Sequence, residues 1–271
     1  MGRFEGLNDM QWTVIKGLLP DAPKKRGKGY PHTPWRKVCN SIFWVLITGS
    51  RWCDIPRGGQ WASKSSAHRW LGVWQEDGTL ERVLSSLREV AFLEGQIDWE
   101  RLAVDGFFSP GKGGGELVDY GYKGKGVTTH LLVDSEGNPI AFEVTSAKGD
   151  ERLQVGPLLD RVEQQLCAFR KETGLIPIFE ADKGYDAEAL RNKLLKRKIY
   201  PLIPRRRLGK NSADKKLASW IEKRRWQVER AISWLQRKFR RLTVRWERKI
   251  LYWKGLLNCG LIKFWIDRLV I

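Results

Sequence analysis

Apolar residues recur at helical spacing through the first third of the chain. Asn8 is an N-cap candidate for a short helix, and a second helix is predicted from Pro34 to about Thr48, where Gly49 ends it. Ser63 is the N-cap candidate of a third helix, SSAHRWLGVWQEDG, and LERVLSSLREVAFLEG follows as a fourth. The pattern predicts an all-α N-terminal domain over residues 1–97.

The hydrophobic period changes near residue 100. RLAVDGFF is a short apolar strand, and VTTHLLVD and PIAFEVTSA alternate on either side of the turn SEGN, so they predict an antiparallel pair. IPIFEAD and YPLIP predict two further strands, and DAEALRNKLLKRK predicts the helix between them. The stretches GKGGGELVDYGYKGKG and PRRRLGKNSADKK are expected to lack regular structure.

One longer helix is predicted over ERLQVGPLLDRVEQQLCAFRKETG, ended by Gly174. Its apolar stripe comprises Leu153, Leu158, Leu159, Val162 and Leu166. A last helix is predicted from about Lys215 to Leu235. The order β-β-β-α-β-α-β-α gives an α/β domain over residues 98–271, in which the first and fourth strands can lie side by side.

Positive charge is concentrated late in the chain. The formal net charge is +18, and Arg191–Lys254 holds 23 of the 49 Lys and Arg residues but only four of the 31 acids. Because counterion release favours cations aligned along a phosphate backbone, this segment predicts a nucleic-acid partner. The alternative is a solvated helical face.

Several classes of protein are not indicated by the sequence. No apolar stretch of signal-peptide or membrane-spanning length occurs, the four cysteines form no CxxC pair, and neither zinc-ligand spacing nor a P-loop is found. We therefore expect a cytoplasmic, nucleoid-associated protein with reduced thiols, no membrane partner and no nucleotide cofactor.

Three acidic residues have positions suited to a metal site: Asp105 in an apolar strand, Asp182 at a strand end, and Glu229 in the late basic helix. Taken singly, Asp182 can be a helix cap and Glu229 can pair with Arg225. Together they offer hard oxygen ligands for Mg²⁺, with Mn²⁺ able to substitute. Two such ions, roughly 3.5–4 Å apart, would support in-line phosphodiester attack. Rival carboxylates at turn or loop edges are Asp134, Asp150 and Glu151.

DNA contacts are predicted in both domains. In a helix-turn-helix arrangement, the helix after Ser63 would enter the major groove, with a supporting helical bundle or dimer contact as the alternative. The predicted DNA-binding residues are Lys64, Ser65, His68, Arg69, Lys123, Lys125, Lys183, Arg205, Arg206, Arg207, Arg224, Arg225, Arg230, Arg237 and Lys238. Tyr185 is a further candidate phosphate contact, although exposure beside a strand end explains it equally well.

Longer segments resemble bacterial insertion-sequence transposases with a DDE catalytic core, specifically the insertion sequence five family. The resemblance is carried by AVDGFF, YGYKGKGVTTHLLVDSEGNPIAFEVTSAKGDE, ADKGYDAE and RRWQVERAISWLQRKFRRLTVRWE, and also by WRKVCNSIFWVLITGSRWCDIP and SSAHRWLGVWQEDGTLERVL. It covers nearly the whole chain and implies a ribonuclease-H-like fold. It also implies that Asp105, Asp182 and Glu229 are the catalytic acids. Glu222 and Gln236 stand where related transposases carry Tyr and Lys.

The resemblance implies an enzyme that binds the terminal inverted repeats of its element, cleaves the DNA ends with Mg²⁺ and joins the 3′ ends to target DNA. Two ends must be processed together, so we expect at least a dimer on double-stranded DNA. The alternatives are a catalytically inactive DNA-binding derivative and a ribonuclease-H-like nuclease.

Overall fold

The computed structural model describes residues 4–23, 31–206, 219 and 226–270. They form two compact units. Unit 1 comprises the described residues up to Ala91, the segment Gly111–Glu116 and the described residues from Leu235 onward. Unit 2 comprises Phe92–Pro110 and the described residues from Leu117 to Trp234.

The helices of unit 1 begin and end at the residues that the sequence indicates. Helix α1 (Asp9–Lys16) starts with a capping box between Asn8 and Gln11, and α2 (Trp35–Thr48) ends at Gly49 with φ 73°. Ser63 caps α3 (Lys64–Glu76), since its side chain accepts a hydrogen bond from the Ser66 N–H. Helix α4 spans Thr79–Leu93. These four predicted helices are confirmed.

The last helix of the chain also packs in unit 1. This 20-residue helix, Ile250–Leu269 (α9 in chain order), packs against α2 and α3. The Tyr252 ring packs against Gly72 of α3, where a Cβ atom would lie 2.9 Å from the ring. Trp253, Trp265 and most of the other apolar side chains of this helix are buried. Among the described residues, no helix has the length and apolar character needed to cross a membrane.

The division of the chain differs from the predicted boundary at residue 97. Residues from 235 onward group with the N-terminal helices, whereas the sequence assigned the C-terminal helices to the second domain. The reason is the apolar surface of α9, which is buried against α2 and α3.

Unit 2 is built on a six-stranded mixed sheet. Its long antiparallel strands are β1 (Arg101–Pro110), β3 (Gly124–Asp134) and β4 (Pro139–Ser146), and β3 pairs with both of the others. A short strand, β2 (Asp119–Gly121), also pairs with β3. It lies in GKGGGELVDYGYKGKG, for which no regular structure was predicted. The remaining strands, β5 (Ile178–Glu180) and β6 (Tyr200–Leu202), extend the sheet in parallel from β1.

Helices follow the strands as the sequence predicts, with one difference. Residues 151–173 form two helices, α5 (Glu151–Asp160) and α6 (Glu163–Thr173), instead of one. Pro157 cannot donate a backbone hydrogen bond, and the chain makes an i→i+3 turn from Leu159 to Val162, whose φ is −125°. Leu153, placed on the apolar stripe by the sequence, is 69% exposed.

The last two helices of this part of the chain are α7 (Glu188–Lys196) and α8, described over Trp226–Lys238. The predicted start of α8 near Lys215 lies outside the described residues. A mixed sheet with flanking helices follows a helical N-terminal region, so the predicted fold class, a ribonuclease-H-like core behind an all-α segment, is confirmed.

Candidate active site

Asp105 and Asp182 come together because β1 and β5 are parallel neighbours. The observed register pairs Ala103 with Glu180. Asp105 and Asp182 each lie two residues farther along the chain from these partners. Side chains alternate along a strand, so Asp105 is on the same face as Ala103. The predicted adjacency of the first and fourth predicted strands, which are β1 and β5, is confirmed, and it puts the two carboxylates at the same edge of the sheet.

Backbone amides orient both carboxylates. One oxygen of Asp182 accepts a hydrogen bond from the Gly184 N–H at 2.6 Å, which makes Asp182 the N-cap of the 3₁₀ turn Lys183–Tyr185. Asp105 Oδ1 accepts one from the Gly106 N–H at 2.7 Å. The capping interpretation of Asp182 and its place beside Asp105 therefore both hold. Both side chains are half-buried and remain in reach of solvent.

A third carboxylate, Glu151, lies beside this pair. It opens α5, and a Cβ atom built on Gly106, the residue after Asp105, would be 3.5 Å from its Oε1. The pKa of Glu151 is raised, mostly by desolvation of the carboxyl and then by the negative charges of Asp105 and Asp182, while Lys123 opposes the shift. The sequence ranked Glu151 only as a rival of the predicted triad.

Tyr185 lies beneath these carboxylates and does not face solvent. The side chain is 1% exposed, so the suggestion that it contacts substrate phosphate is wrong. Burial and the charges of Glu151, Asp105 and Asp182 raise its pKa well above the ordinary value. Within the described part of the chain, its hydroxyl has no hydrogen-bond partner of ordinary geometry.

Glu229 is exposed on the first turn of α8. The start of this helix lies against the β3–β4 turn, where Arg230 donates a hydrogen bond to the Glu136 carbonyl at 2.7 Å. Among the residues that the structure describes, no three His, Cys, Asp or Glu side chains converge to metal-binding positions. The roles of Asp105, Asp182 and Glu229 as a triad therefore remain a prediction.

Several predicted DNA-binding residues lie in unit 2. Arg206 holds the turn after Asp182, since its guanidinium donates to the carbonyls of Lys183 at 3.1 Å and Gly184 at 2.7 Å. Lys183, Arg205 and Arg206 are exposed, as are Lys123 and Lys125. Arg230 stacks over the exposed ring of Trp226 at 4.4 Å. Arg207, Arg224 and Arg225 lie outside the described residues.

In unit 1 the predicted contacts divide into exposed and packed side chains. Lys64, Ser65 and Arg69 are exposed on α3. His68 differs from the prediction, because its ring is half-buried and stacks on Tyr252 with 4.0 Å between centroids. Farther along the chain, Arg237 is exposed, whereas Lys238 forms an ion pair with Asp267 at 2.6 Å and is largely buried. For His68 and Lys238, the geometry supports a packing role within unit 1.

Two protein families match this chain. Residues 99–256 match the transposase DDE domain, and residues 7–84 match a family described as putative transposases of the IS4/5 family. The first match alone takes in more than half of the chain. The chain belongs to the DDE transposases of the IS4/5 family. The predicted family is thus confirmed.

Individual relatives agree with this family. A putative transposase for insertion sequence element IS402 of Burkholderia cepacia is 36% identical over 121 residues, which are 44% of this chain and 53% of that protein. This chain therefore spans about half the length of that relative. A second protein of the same element, of 16.2 kDa, is 35% identical over 36% of this chain and 69% of its own length.

Solved structures of transposases are more distant. The piggyBac transposase in a synaptic complex with hairpin DNA gives a TM-score of 0.49 at 11% identity, over 95% of this chain and 70% of that one. The catalytic domain of Mos1 mariner transposase gives a TM-score of 0.30 at 16% identity, over 69% and 89%. The family is assigned by the sequence matches.

Proposed function

We propose that this IS4/5-family transposase binds the terminal inverted repeats of its own element, cleaves the DNA ends by phosphodiester hydrolysis and transfers the 3′ ends to target DNA. The observation that carries the proposal is the pair Asp105 and Asp182, side by side on β1 and at the end of β5 in a DDE domain. Two carboxylates so close repel each other, and a divalent cation would relieve that repulsion.

The donor set fits Mg²⁺ or Mn²⁺, since both ions prefer carboxylate oxygens. Asp105 and Asp182 would hold the ions, two in each active site, with Glu229 as the third acid. When bound, the ions supply Lewis-acid activation of the attacking water or 3′-hydroxyl and stabilise the leaving oxygen. Asp182 is already oriented by the Gly184 amide, so its ligand oxygen needs little reorganisation.

DNA would be held by cations on both units. In unit 2, the exposed Lys123, Lys125, Lys183 and Arg205 would contact phosphates near the carboxylates, with Arg206 positioning the turn. In unit 1, Lys64, Ser65 and Arg69 of α3 would contact the inverted repeat. We further propose that the chain acts as a dimer on DNA, because two element ends are joined in one reaction.

The test is a cleavage assay with three labelled substrates: a duplex that carries the element's own end, an unrelated duplex of equal length, and an RNA–DNA hybrid. We expect metal-dependent cleavage at the end duplex alone, and its loss in Glu229→Ala. Preference for the hybrid would instead identify a ribonuclease-H-like nuclease. Binding of the end duplex without cleavage by the wild type would identify an inactive DNA-binding derivative.

A further inference from the structure

We infer that Glu151 is a fourth carboxylate of the active site, and that it binds the same divalent cations as Asp105 and Asp182. This inference rests on the proposed function. Its grounds are the position of Glu151 in the fold, its carboxylate neighbours and a buried hydroxyl directed at them.

Strand directions bring Glu151 to the catalytic edge. Strand β3 is antiparallel to both β1 and β4, so β4 runs parallel to β1 and ends at the same edge of the sheet. Glu151 opens α5 five residues after β4 ends at Ser146, just as Asp182 follows the end of β5. The connections that follow β4 and β5 therefore bring Glu151 and Asp182 to the edge of the sheet where Asp105 lies.

Local packing brings the Glu151 carboxylate close to the strand position that follows Asp105. Gly106 has no side chain, and a Cβ atom there would stand 3.5 Å from Glu151 Oε1 and 3.2 Å from the Thr128 methyl group. A larger residue after Asp105 would thus fill the space beside the Glu151 carboxylate. Glu151 itself remains exposed, so a cation and water can reach it.

The Tyr185 hydroxyl gives an independent indication that a ligand group belongs here. It is almost completely buried, it lacks a partner of ordinary geometry among the described residues, and the charged groups that act on it are Glu151, Asp105 and Asp182. The hydroxyl interacts with the Glu151 carboxylate without ideal hydrogen-bond geometry, and functional sites are where buried polar groups with incomplete partners are retained. Tyr185 is placed to donate to a carboxylate and to orient it when a cation draws the acids together.

A structural role is the competing explanation for Glu151. Lys123 is the cation that acts on Glu151, and an exposed pair of this kind contributes little to stability. Pairing with Lys123 explains neither the nearby Asp105 and Asp182 nor the buried Tyr185 hydroxyl. A metal ligand explains all of them.

The experiment measures Mn²⁺ binding by the full chain on duplex DNA, from the electron paramagnetic resonance signal of free Mn²⁺. We expect Glu151→Gln to weaken binding about 10- to 100-fold, the range found for groups that tune a metal site. Glu151→Asp should recover part of the affinity. The matched control is Glu188→Gln, which removes an exposed first-turn glutamate from α7 and should leave Mn²⁺ affinity unchanged.

The outcomes separate this inference from the proposed function. If Asp105→Asn abolishes Mn²⁺ binding while Glu151→Gln binds like the wild type, Glu151 is not a ligand and only this inference fails. If the wild type binds no Mn²⁺ with or without DNA, the metal-dependent function fails as well. Circular dichroism of each variant shows whether it has kept the fold, and Tyr185→Phe should lower Mn²⁺ affinity less than Glu151→Gln does.

Discussion

Asp105 lies in strand β1, and Asp182 lies beside it, two residues after the end of the parallel neighbouring strand β5. Their relationship follows from the register of β1 and β5, which pairs Ala103 with Glu180 two residues earlier. The same face carries the ion pair between Arg101 and the buried Glu180, at 2.8 Å. This pair ties β1 and β5 together just before the two carboxylates. The paired strands therefore fix the position of Asp105 and the start of the turn that carries Asp182.

The affinity for DNA should depend on salt through exposed cations of α3. We expect Lys64→Gln combined with Arg69→Gln to lower the slope of log affinity against log salt by about two, about one for each lost phosphate contact. The measurement is fluorescence anisotropy of a labelled end duplex from low to high salt. Lys16→Gln, another exposed lysine of unit 1, is the control and should leave the slope unchanged. An unchanged slope in the double variant would exclude α3 from the phosphate contacts.

His130 should make the stability of unit 2 depend on pH. Its imidazole is buried, with Nε2 2.9 Å from Thr145 Oγ1, and desolvation lowers its pKa from 6.5 to about 4 despite the opposing charge of Glu143. The unfolded chain takes up a proton below pH 6.5 and the folded chain does not, so stability is lost as the pH falls from 6.5 toward 4. The loss is about 3 kcal/mol at most.

Chemical denaturation at pH 7 and pH 5 tests this prediction. His130→Gln retains a polar group for Thr145 and removes the titration. Its free energy of unfolding should therefore change less than that of the wild type between the two pH values. Equal changes in both proteins would mean that His130 is not the titrating group.

Gly126 should tolerate no side chain. It lies in β3 at the level of Pro110 of β1 and Asp119 of β2, and a Cβ atom there would be 2.3 Å from the Ser109 carbonyl oxygen. Because that oxygen belongs to the backbone of a paired strand, Gly126→Ala should cost about 1–3 kcal/mol or more. Gly17→Ala, where a Cβ atom would meet nothing within 4 Å, is the matched control. Urea unfolding midpoints compare the two variants.

Local signals predicted most of the fold. Asn8, Ser63 and Gly49 mark helix ends through their own side chains or backbone angles, and alternation marks the hairpin of β3 and β4. These features depend on neighbours in sequence. Pro157 is a local sign of the break between α5 and α6, but the apolar stripe favoured the prediction of one continuous helix. The grouping of α9 with unit 1 depends on packing between distant segments, which no local pattern reports.

The site was predicted less completely than the fold. Asp105 and Asp182 could be predicted because burying an acid in or next to an apolar strand costs free energy. That argument does not require knowing which residue lies beside the acid. Glu151 lies in an ordinary first turn of a helix, where an acid is favoured anyway, so its sequence context looked unremarkable. Only the strand directions identify it: β4 must end at the same edge as β1. The burial of Tyr185, two residues after exposed Lys183, likewise follows from tertiary packing.

The most direct test of the account removes the paired aspartates one at a time. End cleavage in Mg²⁺ or Mn²⁺ and end binding are measured together for the wild type, Asp105→Asn, Asp182→Asn and the control Asp119→Asn, whose carboxylate forms an exposed pair with Lys148. We predict that each of the first two variants loses cleavage by at least about 100-fold and still binds the end duplex, while Asp119→Asn cleaves like the wild type. Normal cleavage by Asp105→Asn or Asp182→Asn would contradict the account.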